Sequence, residues 1–405
     1  MKMKIEEQVA YLMRGTEYGD DDLKDAMAGE LRQRLIEAER EGRPLRVYCG
    51  YDPTRSDLHL GHTITMRKLR QFQELGHDVT FLIGTYTSLI GDPSDQNKLR
   101  PQLTPEEVEY NAQTYAQQSY KILDPDKTKV RYNAEWLSKL TFADLINLAS
   151  NFTIQQFLSR ENFKLRWESG DAVYLHETFY ALMQGYDAYT LRADVQVGGT
   201  DQLFNIVTAA RKVMNFLGEK PNIAIIMGIL PGTDGEVRMS KSLGNHIPIL
   251  APPDDMYGKV MSLPDKAMSA YFPLVTRWSA AEIETLESGM IDGSLHPRDV
   301  KMKLAREIVE IFHDPQAAVS AEENFVRVFQ KHDLPEEMPE YELKPGQSVL
   351  DVLEASGLVK SRSEGRRLIS QKGIRLDGDV LDDPNRPFPH PGVLQAGKRR
   401  FTKVC

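Results

Sequence analysis

Two histidines and a lysine set the chemistry that this chain of 405 residues is equipped to do. His59 and His62 flank Leu60-Gly61 at the start of a run in which Ile64, Leu69, Phe72 and Leu75 keep near-helical spacing, and Gly76 is placed to end the helix. Residues three apart share a helix face, so both imidazoles belong to the first turn, where free backbone N–H groups attract an anion. Just ahead lie the β-prone run Val47-Tyr48-Cys49, then Gly50 and the break Asp52-Pro53-Thr54. Strand, loop and helix start in that order predict a nucleotide phosphate as the ligand. Zinc is the competing ligand for a histidine pair, but Cys49 is the nearest cysteine and no further Cys or His cluster accompanies the pair, so no metal site is expected.

The lysine sits in a second phosphate element. Residues 231–245 carry Gly232, Gly235 and Gly244 around a short polar segment, Arg238-Met239-Ser240-Lys241-Ser242, which reads as a mobile surface loop. A third pattern concerns recognition. Tyr180, Gln184 and Asp187 are spaced four and three apart and so lie along one helix face, among the apolar neighbours Phe179, Leu182 and Met183. A buried carboxylate beside a phenol recognises a hydroxyl, and it is left unpaired when that hydroxyl is missing.

These groups need a scaffold. From residue 45 to about 235, short β-branched runs (Val79–Gly84, Val195–Gly199, Ile223–Met227) alternate with helical periods, the pattern of an α/β parallel sheet covered by helices. Ligands of such sheets bind beyond the strand carboxyl ends, where Gly50, Gly84 and Gly198-Gly199 fall. The expected organisation is a helical segment over 1–44, with a break at Gly19–Asp22, then an α/β domain over 45–249. Within it, 104–193 reads as a helical insertion without a convincing strand. A helical domain over 250–330, a Pro-rich acidic linker over 331–345 and a small α+β domain over 346–405 complete the chain.

Charge divides the chain in the same way. The whole carries 50 basic and 59 acidic residues, which excludes a globally basic nucleic-acid binder. From Lys344 onward there are twelve basic and seven acidic residues, a local excess of +5 on a chain of −9. Arg362, Arg366 and Arg367 lie on adjacent turns, as phosphate contacts along a helix require. Two cysteines fit a reducing cytosol better than a disulfide framework. The N-terminus lacks a secretory signal and no apolar run approaches the roughly 18 residues that cross a bilayer, so a cytoplasmic protein with no membrane partner is expected.

His59-Leu60-Gly61-His62 resembles the first signature of the class I aminoacyl-tRNA synthetases, and residues 238–242 resemble the second. There, arginine in the first place keeps the charge but not the geometry of the usual lysine. The two motifs stand in order, about 180 residues apart. Ser361-Arg362 through Arg366-Arg367-Leu368-Ile369, followed by Lys372-Gly373-Ile374-Arg375-Leu376-Asp377-Gly378, resembles the small RNA-binding domain named after ribosomal protein S-four. With Tyr48-Cys49-Gly50, the Tyr180 helix and Gly198-Gly199-Thr200-Asp201-Gln202, nearly the whole chain resembles the bacterial tyrosyl-tRNA synthetases.

That resemblance implies a Rossmann-like catalytic domain that joins L-tyrosine to ATP and then to tRNA(Tyr), in a homodimer whose contact lies in the insertion. It implies that Tyr48 and Asp187 meet the phenolic oxygen, that Asp92, Tyr180 and Gln184 hold the ammonium group, and that Gln202 lies near the carboxylate. Gly50, Gly199 and Asp201 would meet the adenylate ribose, with Asp52 on the nucleotide side. Thr54 and His59 would contact pyrophosphate, His62 the nucleoside side, and Lys241, with Arg238, the outer phosphates. Arg362, Arg366, Arg367 and Lys372 would meet tRNA. ATP, as a substrate, would bring Mg2+, and no tightly bound cofactor is implied. Many relatives carry a basic residue just after Ser94; here Lys98 or Arg100 would take over that pyrophosphate contact. The tryptophanyl enzymes share the fold and both motifs, and a non-catalytic RNA-binding protein on the same scaffold is the rival of another kind.

Overall fold

The computed structural model describes residues 3–53, 57–94, 104–241, 243–330, 338–397 and 400–405. The chain forms two compact units, Met1–Glu322 and Glu323–Cys405. In the first, five strands run parallel: β1 (Arg46–Tyr51), β2 (Asp78–Ile83), β3 (Thr128–Tyr132), β4 (Val195–Gly199) and β5 (Ile223–Met227), in the spatial order β3-β2-β1-β4-β5. Every residue of β5 is buried, as expected of a parallel strand covered on both faces. Chain order reverses at the β1/β4 boundary, and that reversal opens a crevice at the carboxyl ends of the strands.

The sequence explains the elements that frame this crevice. Asp20 caps the Asp21–Glu41 helix by accepting from the Leu23 N–H, and Gly42, at φ 65°, closes it in the left-handed conformation. His59 caps the Leu60–Glu74 helix, whose Leu60, Ile64, Leu69 and Phe72 are buried. Gly76, at φ 83°, then turns the chain into β2.

One expectation fails. The 104–193 segment contains β3, which extends the sheet beyond β2. Its sequence, Thr-Lys-Val-Arg-Tyr, has no apolar run and its residues are exposed or half-buried. A short edge strand whose residues are at most half-buried needs no apolar run, and therefore gave none. The rest of the segment is helical, as expected, ending in the long Leu175–Thr190 helix.

In the second unit, β6 (Glu340–Tyr341), β7 (Ile374–Leu376), β8 (Asp379–Val380), β9 (Gly392–Ala396) and β10 (Arg400–Val404) form a sheet in the order β6-β10-β9-β7-β8. The helices Val349–Ala355 and Arg362–Ser370 share a core with it through Leu350, Leu353, Ile369, Ile374 and Leu394. Ser348 and Asp351 start the first helix with a reciprocal capping box.

Candidate active site

The crevice is a cavity of about 720 Å³, and a chain of hydrogen bonds runs along its floor. At the inner end, Tyr48 on β1 and Asp187 on the Leu175–Thr190 helix are both buried, at 1% and 3% exposure. Asp187 Oδ1 accepts from Trp136 Nε1 at 2.7 Å and Oδ2 from Asn133 Nδ2 at 3.2 Å. Burial pushes the Asp187 carboxyl up to about 8; the two donors oppose that and the charge of Asp52 adds to it. Burial, and then the charge of Asp187, raise the Tyr48 phenol well above its ordinary range. Tyr48 donates to the Gln184 carbonyl at a long 3.5 Å. A neutral phenol and a reluctantly ionised carboxyl at the bottom of a pocket are matched to an incoming group that both donates and accepts, as a hydroxyl does.

From there the chain continues outward. Asn133 also donates to Thr87 Oγ1 at 3.0 Å, Thr87 donates to Asp52 Oδ1 at 2.8 Å, and the Tyr180 hydroxyl donates to Asp52 Oδ2 at 3.0 Å. A Cβ on Gly84 would collide with Asp52 Oδ1 and Thr87 Oγ1, so this pair requires glycine at the end of β2. Tyr180 thus takes up with the carboxylate expected on the nucleotide side, which joins the two halves of the site. Gln184 leaves its side-chain Oε1 buried and without a partner among the described residues.

A second group lies across the cleft. Asp92 Oδ2 accepts from Gln202 Nε2 at 2.5 Å and Oδ1 from the Ser94 N–H at 2.9 Å. Gln202 also donates to Asp201 at 3.1 Å and accepts from Asn205 at 3.0 Å. Asn205 belongs to Phe204–Ala210, a wide π-type helical stretch, of a kind that recurs at functional sites because it re-aims side chains. A Cβ on Gly199 would come within 2.5 Å of Asp201 Oδ1 and would displace that carboxylate.

At the outer end the two phosphate elements meet. Leu60 N–H donates to the Ile247 carbonyl at 2.9 Å, Ile249 N–H to Leu58 at 3.2 Å, and His59 bridges to Pro248. These contacts bring the Lys241 loop against the helix start. The His59 and His62 rings lie 3.9 Å apart, and the His59 N–H donates to His62 Nδ1 at 3.2 Å. Burial lowers both imidazoles, His62 to about 4 and His59 to about 2; His62, His246, Arg238 and Lys241 add to the fall at His59. They are therefore neutral near pH 7, hydrogen-bonding groups rather than cations. His59 Nδ1 is buried with no partner among the described residues.

Positive charge comes from the loop. Lys241 Nζ pairs with Asp57 Oδ2 at 2.5 Å, and Arg238 lines the same wall. Asn245 ties the loop together through Asp234, Arg238 and Ser240, so it is a folded turn rather than a free strand of chain.

Tyr48, Gly50, Asp52, His59, His62, Asp92, Tyr180, Gln184, Asp187, Gly199, Asp201, Gln202, Arg238 and Lys241 all line this one cavity. Thr54, Lys98 and Arg100 lie outside the described residues. Arg362, Arg366, Arg367 and Lys372 belong to the second unit and are exposed there, Arg362 paired with Asp351 at 2.7 Å and Glu354 at 3.3 Å. Sequence reasoning missed Asn133, Trp136, Thr87, Asn205 and Asp57. Only Asp57, an acid two residues before His59 and opposite in charge to the loop lysine, gave any signal. Among the described residues no group of three or more His, Cys, Asp or Glu side chains is disposed to hold a metal ion, and no helix is long and apolar enough to cross a membrane.

Comparison with known proteins bears on what enters this cavity. Residues 40–330 match the family described as tRNA synthetases class I (W and Y), and residues 339–390 match the S4 domain. The chain is 46% identical over 404 residues to a tyrosine-tRNA ligase of Moorella thermoacetica, covering 99% of this chain and 97% of that protein. It is 44% identical to the tyrosine-tRNA ligase of Thermotoga maritima, with 99% and 98% covered. A crystal structure of a tyrosyl-tRNA synthetase from Archaeoglobus fulgidus, complexed with L-tyrosine, shares the fold at a TM-score of 0.60 and 24% identity, covering 79% of this chain and all of that one.

Proposed function

The chain belongs to the class I tRNA synthetases, within them to the tyrosine-tRNA ligases, and on that premise we propose that its cavity activates L-tyrosine with ATP and passes the tyrosyl group to tRNA(Tyr). The observation that carries the reading is that Tyr48 and Asp187, Asp92 and Gln202, and His59, His62 and Lys241 occupy the inner end, the side and the mouth of one cavity. A tyrosine molecule with its phenol inward carries its carboxylate to the mouth.

In the first step a carboxylate oxygen of tyrosine attacks the α-phosphorus of ATP in line; the bond to the bridging oxygen breaks and pyrophosphate leaves with its electron pair. In the second, a ribose hydroxyl at the tRNA 3′ end attacks the acyl carbon, loses its proton, and AMP departs. No covalent enzyme intermediate is needed, so the protein acts by positioning and charge stabilisation. Tyr48 and Asp187 hold the phenolic oxygen. Asp92, with Tyr180 and Gln184, holds the ammonium group, and Gln202 lies beside the carboxylate. Gly50, Gly199 and Asp201 meet the ribose, with Asp52 behind it. Neutral His59, with Thr54, donates to pyrophosphate oxygens and neutral His62 lies on the nucleoside side, neither histidine titrating near pH 7. Lys241 and Arg238 neutralise the outer phosphates. Magnesium arrives with ATP, held by phosphate oxygens and water.

Arg362, Arg366, Arg367 and Lys372 contact tRNA phosphates, and Arg362 must first exchange its acidic partners for them. Phe142, Ile146, Ile154, Leu165, Trp167 and Leu175, all in the insertion, are more than half exposed. Side chains of this size on one segment support a homodimer formed there. The reaction belongs to the cytoplasm, where tRNA is charged. ATP–pyrophosphate exchange run with tyrosine, phenylalanine and tryptophan in turn tests the reading. Exchange with tyrosine alone is expected; exchange with tryptophan would make this a tryptophanyl enzyme, and none at all would leave an RNA-binding protein.

A further inference from the structure

A buried cation lies behind the amino-acid side of the cavity, unused by the mechanism above. Arg160 belongs to the insertion, where it caps the Glu161–Ser169 helix, and is 6% exposed. Its guanidinium sits 5.0 Å from the ring centroids of both Phe163 and Phe204. Nη2 donates to Ser94 Oγ at 2.8 Å, while Nη1 is buried without a partner among the described residues. Among those residues no carboxylate pairs with it. Burial pulls the guanidinium down, and Asp92, then Tyr180, Glu177 and Asp201, oppose that fall. Glu177 is already paired with Arg166 at 2.7 Å, which leaves the two cleft carboxylates as its counter-charges.

What Arg160 grips is a closed ring of bonds. Ser94 N–H holds Asp92 Oδ1, Gln202 holds Asp92 Oδ2, Asn205 holds Gln202 Oε1, and Asn205 returns to Ser94 Oγ at 3.4 Å. Two residues along, Asn162 Nδ2 donates to the Pro93 carbonyl at 2.6 Å. The insertion therefore clamps the 91–94 segment at two points, one charged and one neutral. A buried guanidinium left with an unused donor is costly, and a packing role between two rings would not require its charge.

We propose that Arg160 is a positioning residue for amino-acid recognition, fixing the Ser94-centred ring from outside the cavity and supplying the charge that keeps the Asp92 carboxylate set for the substrate ammonium. The proposal rests on the assignment of Asp92 to that ammonium group. Arg160→Met fills the slot between the rings without charge, whereas Arg160→Lys keeps the charge there.

The test uses the full chain and measures binding of L-tyrosine and of 3-(4-hydroxyphenyl)propanoate, which lacks only the ammonium group, with thermal melting to confirm that each variant is folded. Arg160→Met is expected to weaken tyrosine binding about 10- to 100-fold and the propanoate less than about threefold, with Arg160→Lys restoring most of the loss. In an Asp92→Asn background Arg160→Met should add little, because the two share one pathway. Equal weakening of both ligands by Arg160→Met would reduce Arg160 to packing and overturn the proposal. An unchanged tyrosine affinity, with Asp92→Asn still discriminating the two ligands, would overturn it as well. If Asp92→Asn itself leaves the ratio of the two affinities unchanged, the ammonium assignment fails and the role of Arg160 falls with it.

Discussion

In the Met1–Glu322 unit Tyr48, Asp92, Tyr180 and Asp187 line the cavity buried and hydrogen-bonded, whereas in the Glu323–Cys405 unit Arg362, Arg366 and Arg367 stand exposed on a nine-residue helix. Asp187 has two donors on it before any ligand arrives; Arg366 and Arg367 present their charge to water. The difference fits the ligand proposed for each region. One hydroxyl on a small molecule is read by groups that lose heavily when it is absent, which requires burial. A sugar-phosphate backbone is read by the sum of many weak, screened contacts, which requires only display.

Separating the two regions gives the largest expected effect. A chain ending at Pro345 should keep tyrosine-dependent pyrophosphate exchange within about twofold while losing tRNA charging by about 10³-fold or more, since the basic residues proposed to meet tRNA phosphates go with the removed segment. Equal loss of both activities would show that the division of labour is wrong. Within the buried region, Lys241→Ala should slow adenylate formation about 100-fold with tyrosine affinity nearly unchanged, as read by single-turnover kinetics beside equilibrium binding. A normal rate would remove Lys241 from the chemistry. Arg366→Ala probes the exposed side and should do little by comparison. A roughly threefold loss of tRNA affinity and a salt-dependence slope shallower by about 1 are expected, and a steep, salt-independent loss would mean that Arg366 behaves like a buried contact.

Stability against pH probes the same buried groups without any ligand. Asp187 is raised to about 8, so it binds its proton more tightly in the folded state; its contribution is full below its unfolded value near 4 and lost as pH rises through 8. His62 is lowered to about 4 and runs the other way, contributing above about 6.5 and losing that as pH falls towards 4. Denaturant titrations of the ligand-free protein should therefore show Asp187→Asn flattening the fall in stability between pH 4 and 8, and His62→Gln flattening the fall below 6.5. Unchanged slopes would mean that neither group is desolvated as described.

Much of this was legible in the residues because the signals were of the kind that sequence carries. The β5 run Ile223–Met227 is apolar throughout, since both its faces are covered, and the His59-x-x-His62 and Lys241 elements are contiguous. What escaped was either exposed or assembled from afar. β3 needed no hydrophobic pattern. Asn133 and Trp136 reach Asp187 from more than fifty residues away in the chain, and nothing in their neighbourhood distinguishes a hydrogen-bonding tryptophan from one that merely packs. Asp52 was assigned to the nucleotide, while its bonds to Thr87 and Tyr180 tie it equally to the amino-acid end.

Calorimetric binding of tyrosine and phenylalanine to the wild-type chain and to Asp187→Asn bears most directly on how the cavity chooses its substrate. With Tyr48 and Asp187 sensing the hydroxyl, the wild-type preference for tyrosine should fall by at least about tenfold in the variant, chiefly through weaker tyrosine binding. A preference that survives the substitution intact would show that the hydroxyl is read elsewhere.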